Sequence, residues 1–486
     1  MENNIIQLID REVFFYLFEE KANDKKKEKN LIENLVFLSF DDDIGQIVEK
    51  YYPENSLDEN SLKEISSNGF PETNSCKDNG EITYIFNYRE NINSSLNNVS
   101  LNSQTFKFCY AKFLQKKNSN VKRGYSQKSV VITSHEYKPK IIFPILNELV
   151  DLYTKNNYIP LSNENCNLFL NKSNNNNKII EEIEENIFLE DFSLNSLKIF
   201  QINSFFENLT FYYTNKILSL WEIVITEIPI IVFADDPNKC SNVVKLLESL
   251  IYPFEFKGDV RPYFSIYDYD FKDYKDNSNL SNLNNPILGV INPFCANSFD
   301  NFIILHFDDN YYNEKLIDNP TKNIKYKSFE ELEHNDNNFI IKQKKDPNIN
   351  NINKVKVLTK PDKNLIKTFY HFLNENNNND FSKLDNYLRM YLIELNNDFG
   401  RNIEEYIFKY NLKEMKKICF LKNNFSIFEI FNENKFYKFL HKNEKNLFNS
   451  KYVNDIKKTC TLYQRFFKTK CFNSYIQKYL PKIKNL

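Results

Sequence analysis

Four asparagine-rich tracts, Asn91–Ser103, Asn163–Lys178, Asp276–Asn285 and Asn310–Asn353, limit what this chain can fold into. Such tracts cannot bury a core and read as surface loops or disorder, so the folding information lies between them. The remaining segments have enough apolar surface for a sizeable core, since 41% of the 486 residues are hydrophobic and 15% aromatic. Length alone suggests about three domains at roughly 150 residues each. With 63 Lys+Arg against 65 Asp+Glu, the formal net charge of -2 gives no field to collect nucleic acid or anionic lipid.

The longest apolar run, Leu220–Phe233, is broken by Glu222 and Glu227 well short of the roughly 20 residues a spanning helix needs, so no transmembrane segment is expected. The chain reaches Asp10, Arg11 and Glu12 before any signal-type apolar region forms. No glycine follows Met1 and no cysteine is placed for prenylation, which makes the cytosol the default address. Eight scattered cysteines without a C-x-x-C pair, and five histidines without H-x-x-x-H spacing, support neither a zinc site nor a disulfide framework; no metal and no cofactor is expected.

The first segment reads as strand Asn34–Phe40, turn Asp41–Asp43, strand Gln46–Tyr51 with Gly45 beside the turn, and a helix opened by the capping box Ser56-x-x-Glu59 and closed by Gly69 and Pro71. Strands Ile82–Tyr88, Thr105–Leu114 and Ser126–Thr133 follow, then an amphipathic helix Lys140–Tyr153. The order is that of a longin-type domain, an antiparallel sheet with helices packed on it. The second segment alternates helix Tyr213–Thr226, strand Ile228–Phe233, a helix to Leu250, then strands Tyr263–Tyr267, Ile287–Ile291 and Phe302–Phe307, a small α/β sheet of parallel character. From Pro361 onward the pattern is helical, with Leu384, Leu388, Tyr391, Leu392 and Leu395 at core spacing.

A loop after a strand of an α/β sheet is the usual ligand position, and Ala234–Asp235–Asp236–Pro237 occupies it here. A phosphate cradle needs glycines and a free helix N-terminus, whereas Asp235 and Asp236 satisfy the helix dipole themselves and repel a pyrophosphate. With seven glycines in the whole chain, neither a G-x-G-x-x-G nor a Walker loop exists. There is no G-x-S-x-G elbow, and His306, before Asp308 and Asp309, has no identifiable catalytic partner and reads as a structural residue. What remains is a surface for another macromolecule.

The stretches FDDDIGQIVEKYYP (Phe40–Pro53), GFPETNS (Gly69–Ser75), KRGYSQKSVVITS (Lys122–Ser134), LWEIVITEIPIIVFADDP (Leu220–Pro237), RPYFSIYD (Arg261–Asp268) and LGVINPF (Leu288–Phe294) resemble, in this order, a DENN-domain protein. The pattern is nearest the branch of DENN domain-containing protein 6. A weaker match continues into Leu462–Ile476, and ADDP is more acidic than the family pattern.

The resemblance implies an α/β fold in three parts, with an α+β, longin-like N-lobe at 1–162 and an asparagine-rich, acidic linker at 163–195. An α/β core follows at 196–309, a low-complexity insert at 310–360 and a helical region at 361–486. It implies a guanine nucleotide exchange factor that opens the switch regions of a Rab-type small GTPase in membrane traffic, without covalent chemistry. The address would be cytoplasmic, with peripheral association to endosomal or Golgi-derived membranes, and the oligomeric state is left open. A non-exchanging Rab-binding or tethering scaffold on the same fold is the alternative.

Candidate partner contacts are Asp235, Asp236, Asn238, Arg261, Tyr263, Asn292 and Asn297. Asp235 and Asp236 read equally as a helix cap or as a contact, and Arg261 with Tyr263 equally as a strand opening or an interface anchor. Gly45, Gly69, Gly124 and Gly289 are expected to serve backbone geometry and Trp221 the core.

Overall fold

The computed structural model describes residues 30–72, 79–89, 106–170, 209, 216–276, 285–299, 302–307, 338–342, 354–375, 382–407, 431–443, 449–453 and 455–477. The tract Asn91–Ser103, the four-asparagine run at 174–177, most of the other two tracts, residues 213–215 of the expected helix, and Asp308 and Asp309 lie outside them.

The N-lobe is one five-stranded antiparallel sheet. Strands β1 (Asn34–Asp41), β2 (Gly45–Tyr52), β3 (Asn79–Arg89), β4 (Phe106–Lys117) and β5 (Tyr125–Ser134) pair in the order β2-β1-β5-β4-β3. Period-two alternation assigns each strand's side chains to two cores. Leu35, Phe37, Tyr110, Val130 and Ile132 face helix α2 (Pro139–Lys155), whose Ile142, Leu146 and Leu149 cover them. Val36, Leu38, Tyr84, Phe86 and Val131 face the opposite way into a core shared with the rest of the molecule. Between β2 and β3 lies α1 (Glu59–Asn68).

The cap of α1 differs from expectation. Asp58, not Ser56, is the N-cap, accepting from Ser61 N at 2.9 Å. Ser56 donates instead to Asn34 Oδ1 and Pro53 O, because a serine this close to the end of β2 finds partners in the sheet. The expected polar tract from Asn163 also starts differently. Residues 163–170 form a helix, α3, whose Cys166, Phe169 and Leu170 join the core beneath α2.

In the second lobe, helix α4 (Ile217–Ile225) is buried at all nine positions, as expected of a helix apolar on every side. Strand β6 (Ile230–Phe233), helix α5 (Pro237–Ser249), β7 (Val260–Arg261), α6 (Phe271–Asp276), β8 (Ile287–Val290), α7 (Pro293–Ser298) and β9 (Phe302–His306) follow. Strands β9, β6, β8 and β7 are mutually parallel, and β10 (Asn338–Lys342) and β11 (Lys354–Lys356) extend the β9 edge antiparallel.

The strand expected over Tyr263–Tyr267 is instead the two-residue β7. Pro262 supplies no N–H, Tyr263, Phe264 and Ser265 are all buried instead of alternating, and Asp268 N closes a turn onto Ser265 O at 3.2 Å. The C-terminal region is helical: α8 (Lys363–Glu375), α9 (Ser382–Glu405), α10 (Glu433–Lys442), α11 (Asn449–Tyr452), α12 (Ile456–Phe466) and α13 (Lys470–Gln477). Leu384, Leu388, Tyr391, Leu392 and Leu395 are buried there, in the same core that receives Trp221 and the N-lobe sheet.

Gly45 and Gly124 have φ of 94° and 77° at hairpin ends, where an L side chain is strained. Gly69 closes α1 against Leu38, and a Cβ on Gly289 would lie 2.1 Å from Pro262 O. Trp221 Nε1 donates to Asn396 Oδ1 at 2.7 Å, while the Asn396 amide donates to Leu250 O and Leu392 O. One fully satisfied polar node thereby ties α4, the end of α5 and α9 together.

Candidate interaction surface at the sheet edge

The carboxyl ends of the parallel strands converge where a ligand or partner is expected in an α/β fold. After β6 the chain turns through Ala234, which is buried, and Asp235, which is exposed. Asp236 then caps α5, its Oδ1 accepting from Asn238 N at 3.0 Å, and Pro237 takes the first helical position. Asn238 in turn holds the α5 surface through an Asn242 side-chain bond of 3.0 Å. Burial is the main force raising the Asp236 carboxyl above its ordinary value, opposed by the backbone N–H groups of Asn238 and Lys239. One carboxylate of the pair therefore serves the helix, and the other faces outward.

After β8 the same arrangement recurs. Asn292 caps α7, accepting from Phe294 N at 2.9 Å, with Pro293 again first in the helix. Phe294 is 60% exposed, which leaves an aromatic ring facing outward at the helix start. Asn297 lies in α7. At the end of β9, the His306 ring packs edge-to-face on Phe233 at 5.5 Å.

A carboxylate contributed by the N-lobe joins these turns. Glu72, just beyond α1, receives Ile266 N on Oε1 at 3.4 Å and lies against the Asn292 side chain, while its own N–H donates to Tyr263 Oη at 2.9 Å. Burial raises its carboxyl above the usual range. Next to Ile266, Tyr267 is 56% exposed and Tyr269 76% exposed. The edge thus combines half-buried acids with outward aromatic rings. Rings with a polar tip give contact area at low entropic cost, and carboxylates suit a basic protein surface.

The candidate residues divide on this geometry. Asp235, Asp236, Asn238 and Asn292 stand at the edge. Arg261 and Tyr263 do not face outward: each is 1% exposed. Arg261 Nε contacts both Asp259 oxygens at 2.8 and 2.9 Å, its guanidinium also pairs with Asp270, and it stacks over the Phe106 ring at 3.8 Å. Tyr263 packs edge-to-face on Tyr84 at 5.2 Å. Both residues join the two lobes. Tyr267, Phe294 and Glu72 were missed as candidates because an aromatic residue in sequence reads as core and a lone glutamate as solvent-exposed.

A model of the DENN (AEX-3) domain matches residues 125–273, from the start of β5 into α6. Over that segment the chain is similar to the DENN domain. The matched segment includes Asp235, Asp236, Arg261 and Tyr263.

Among relatives, the chain is similar to "Protein DENND6 homolog" of Dictyostelium discoideum, at 28% identity over 52% of this chain and 42% of that protein. It is similar to "Protein DENND6A" of Mus musculus at 24% identity, covering 54% of this chain and 49% of that protein. The corresponding figures for "Protein DENND6B" of Homo sapiens are 26%, 54% and 51%. The chain spans about half the length of the curated relatives it matches. Among the described residues, no helix is long and apolar enough to cross a membrane, and no group of three His, Cys, Asp or Glu is placed to hold a metal.

Proposed function

We propose that this chain is a guanine nucleotide exchange factor for a Rab-type small GTPase, docking through the carboxyl edge of its parallel sheet. The observation that carries the reading is the composition of that edge. Asp235 and Tyr267 are exposed there, Phe294 projects from the start of α7, and the capped helix N-termini leave no cradle for a nucleotide. Such a surface binds protein, not phosphate. An exchange factor works by binding the open, nucleotide-free state of the GTPase more tightly than the closed one. Carboxylates here would pair with the basic groups left uncovered when phosphates and Mg²⁺ depart, and the rings would pack against a displaced switch loop.

The family likeness supports the partner class, and cytoplasmic action at endosomal or Golgi-derived membranes belongs to the same proposal. The test is release of fluorescent GDP from a panel of purified Rab proteins. Acceleration for at least one member is expected. Binding without acceleration identifies a scaffold on the same fold, and absence of both overturns the reading.

A further inference from the structure

The seam between the lobes holds more negative charge than it can match. From the N-lobe come Glu64 of α1, Arg89 at the end of β3 and Phe106 at the start of β4. From the other lobe come Asp259, Arg261, Asp268, Asp270 and the α6 residue Tyr274. Asp270 Oδ2 bridges the guanidiniums of Arg89 and Arg261. Asp268 Oδ2 is 3.5 Å from Arg261 Nη1, and Tyr274 Oη donates to Asp259. Glu64 Oε2 accepts from Arg89 N at 3.0 Å. Two guanidiniums therefore face four carboxylates, with Arg261, Asp268 and Asp270 all buried. Cys109 of β4 faces Glu64 and Cys295 of α7 faces Asp268; burial holds both thiols above their ordinary range, so neither adds a charge.

An excess of negative charge enclosed at a seam is relieved in one of two ways: the lobes part and admit water, or the seam takes up protons. We propose that this inter-lobe cluster is a proton-operated latch, closed more tightly in acid and loosened in base, with Glu64 and Asp268 as the groups that gain and lose the protons. The seam also carries Tyr263 and the backbone of Glu72, so a change in lobe spacing reaches the sheet edge directly. The proposal does not depend on the identity of the partner.

The direction of the effect follows from the site. Burial first, then the charge of Asp268, pushes Glu64 from 4.5 up to about 7. Burial raises Asp268 from 3.8 to about 6 against the pull of Arg261. A carboxyl raised on folding binds its proton more tightly in the folded state. Its contribution is fully present in acid, below the unfolded value, and is lost as pH rises through the folded one. Stability should accordingly increase as pH falls from 8 toward 6, by up to about tenfold in the folded-to-unfolded ratio per pH unit for each proton held.

The experiment is urea unfolding of the full chain between pH 8 and 5.5, followed by fluorescence of Trp221, the sole tryptophan. Glu64→Gln and Asp268→Asn are compared with the wild type, each keeping an oxygen that accepts the existing backbone bond. Hydrogen exchange at Val260–Asp270 and Asn79–Arg89 is read against α9 at each pH, which cancels the intrinsic rate. Expected are a wild-type midpoint that rises on acidification, protection at the seam that rises with it, and a flattened pH slope in Glu64→Gln. Should Glu64→Gln not fold, Asp268→Asn is read in the same way. Slopes equal to wild type in both variants, or a loss equal at every pH, overturn the latch and leave a structural cluster.

Discussion

Helix α4 with the turn after it, and the loop that follows β6, each carry two acidic residues, and the two pairs serve opposite ends. Glu222 and Glu227 point inward. Glu222 is 1% exposed and accepts from Leu358 N, Thr359 N, Thr359 Oγ1 and, at 3.1 Å, Arg465 Nη1. Glu227 receives Lys470 N at 3.0 Å and Cys471 N at 2.8 Å, at the start of α13. These two carboxylates clasp the C-terminal region to the middle of the molecule. Asp235 and Asp236 lie at the open edge, where one caps α5 and the other meets solvent. The same chemical group is structural where backbone donors converge on it, and available to a partner where they do not.

The sharpest way to break this contrast is to remove the inward group. Glu222→Ala would leave the Leu358 and Thr359 N–H groups buried without an acceptor, and the expected loss is about 3–5 kcal/mol of stability. Urea unfolding measures it, and a loss below about 1 kcal/mol would mean that the clasp is ornamental. Glu227→Gln keeps one oxygen, enough for only one of Lys470 N and Cys471 N, which bond different oxygens of the carboxylate, and it forfeits the charge at a helix N-terminus. It should cost less, about 1–3 kcal/mol.

These inward carboxylates also show where sequence reading stops. In the sequence they serve only to interrupt an apolar run and exclude a spanning helix. Their partners lie 136 to 244 residues away, a distance over which periodicity carries no information. The N-lobe, by contrast, was legible strand by strand, because hairpin turns and period-two alternation are local. The same local signals located β6, α5 and β8, and with them the Asp235–Asp236 turn.

They failed at Tyr263–Tyr267, where apolar residues suggested a strand but the buried Arg261 and its aspartates pull the chain into the inter-lobe seam. They also failed to separate Arg261 and Tyr263, buried, from Tyr267 and Phe294, exposed. Burial is a tertiary property that residue type alone does not specify.

The outward aromatics provide the next test. Tyr267→Ala together with Phe294→Ala should leave the unfolding midpoint within about 0.5 kcal/mol of wild type, since both side chains are more than half exposed. If the edge is the docking surface, the pair should weaken Rab binding by about tenfold or more, as truncated interface rings do. Surface plasmon resonance against the Rab identified in the exchange panel reads the change. Unaltered affinity would move the interface away from this edge.

The smallest effect on the fold, and the finest test of the contrast, comes from the outward acids. Asp235→Asn with Asp236→Asn should scarcely change the melting temperature, because Asn caps a helix about as well as Asp and burial already works against the charge on Asp236. If the edge docks the GTPase as proposed, the exchange rate should fall nonetheless. Removing two negative charges from a surface that meets a basic partner slows encounter, and added salt weakens the wild-type attraction by screening, so the gap between wild type and variant should narrow as ionic strength rises. Measuring GDP release against salt beside a melting curve separates the two roles. A rate unchanged at low salt makes Asp235 and Asp236 a helix cap and nothing more, and a rate loss that tracks unfolding returns them to the structural class of Glu222. A loss at full stability that shrinks with salt assigns the pair to the partner.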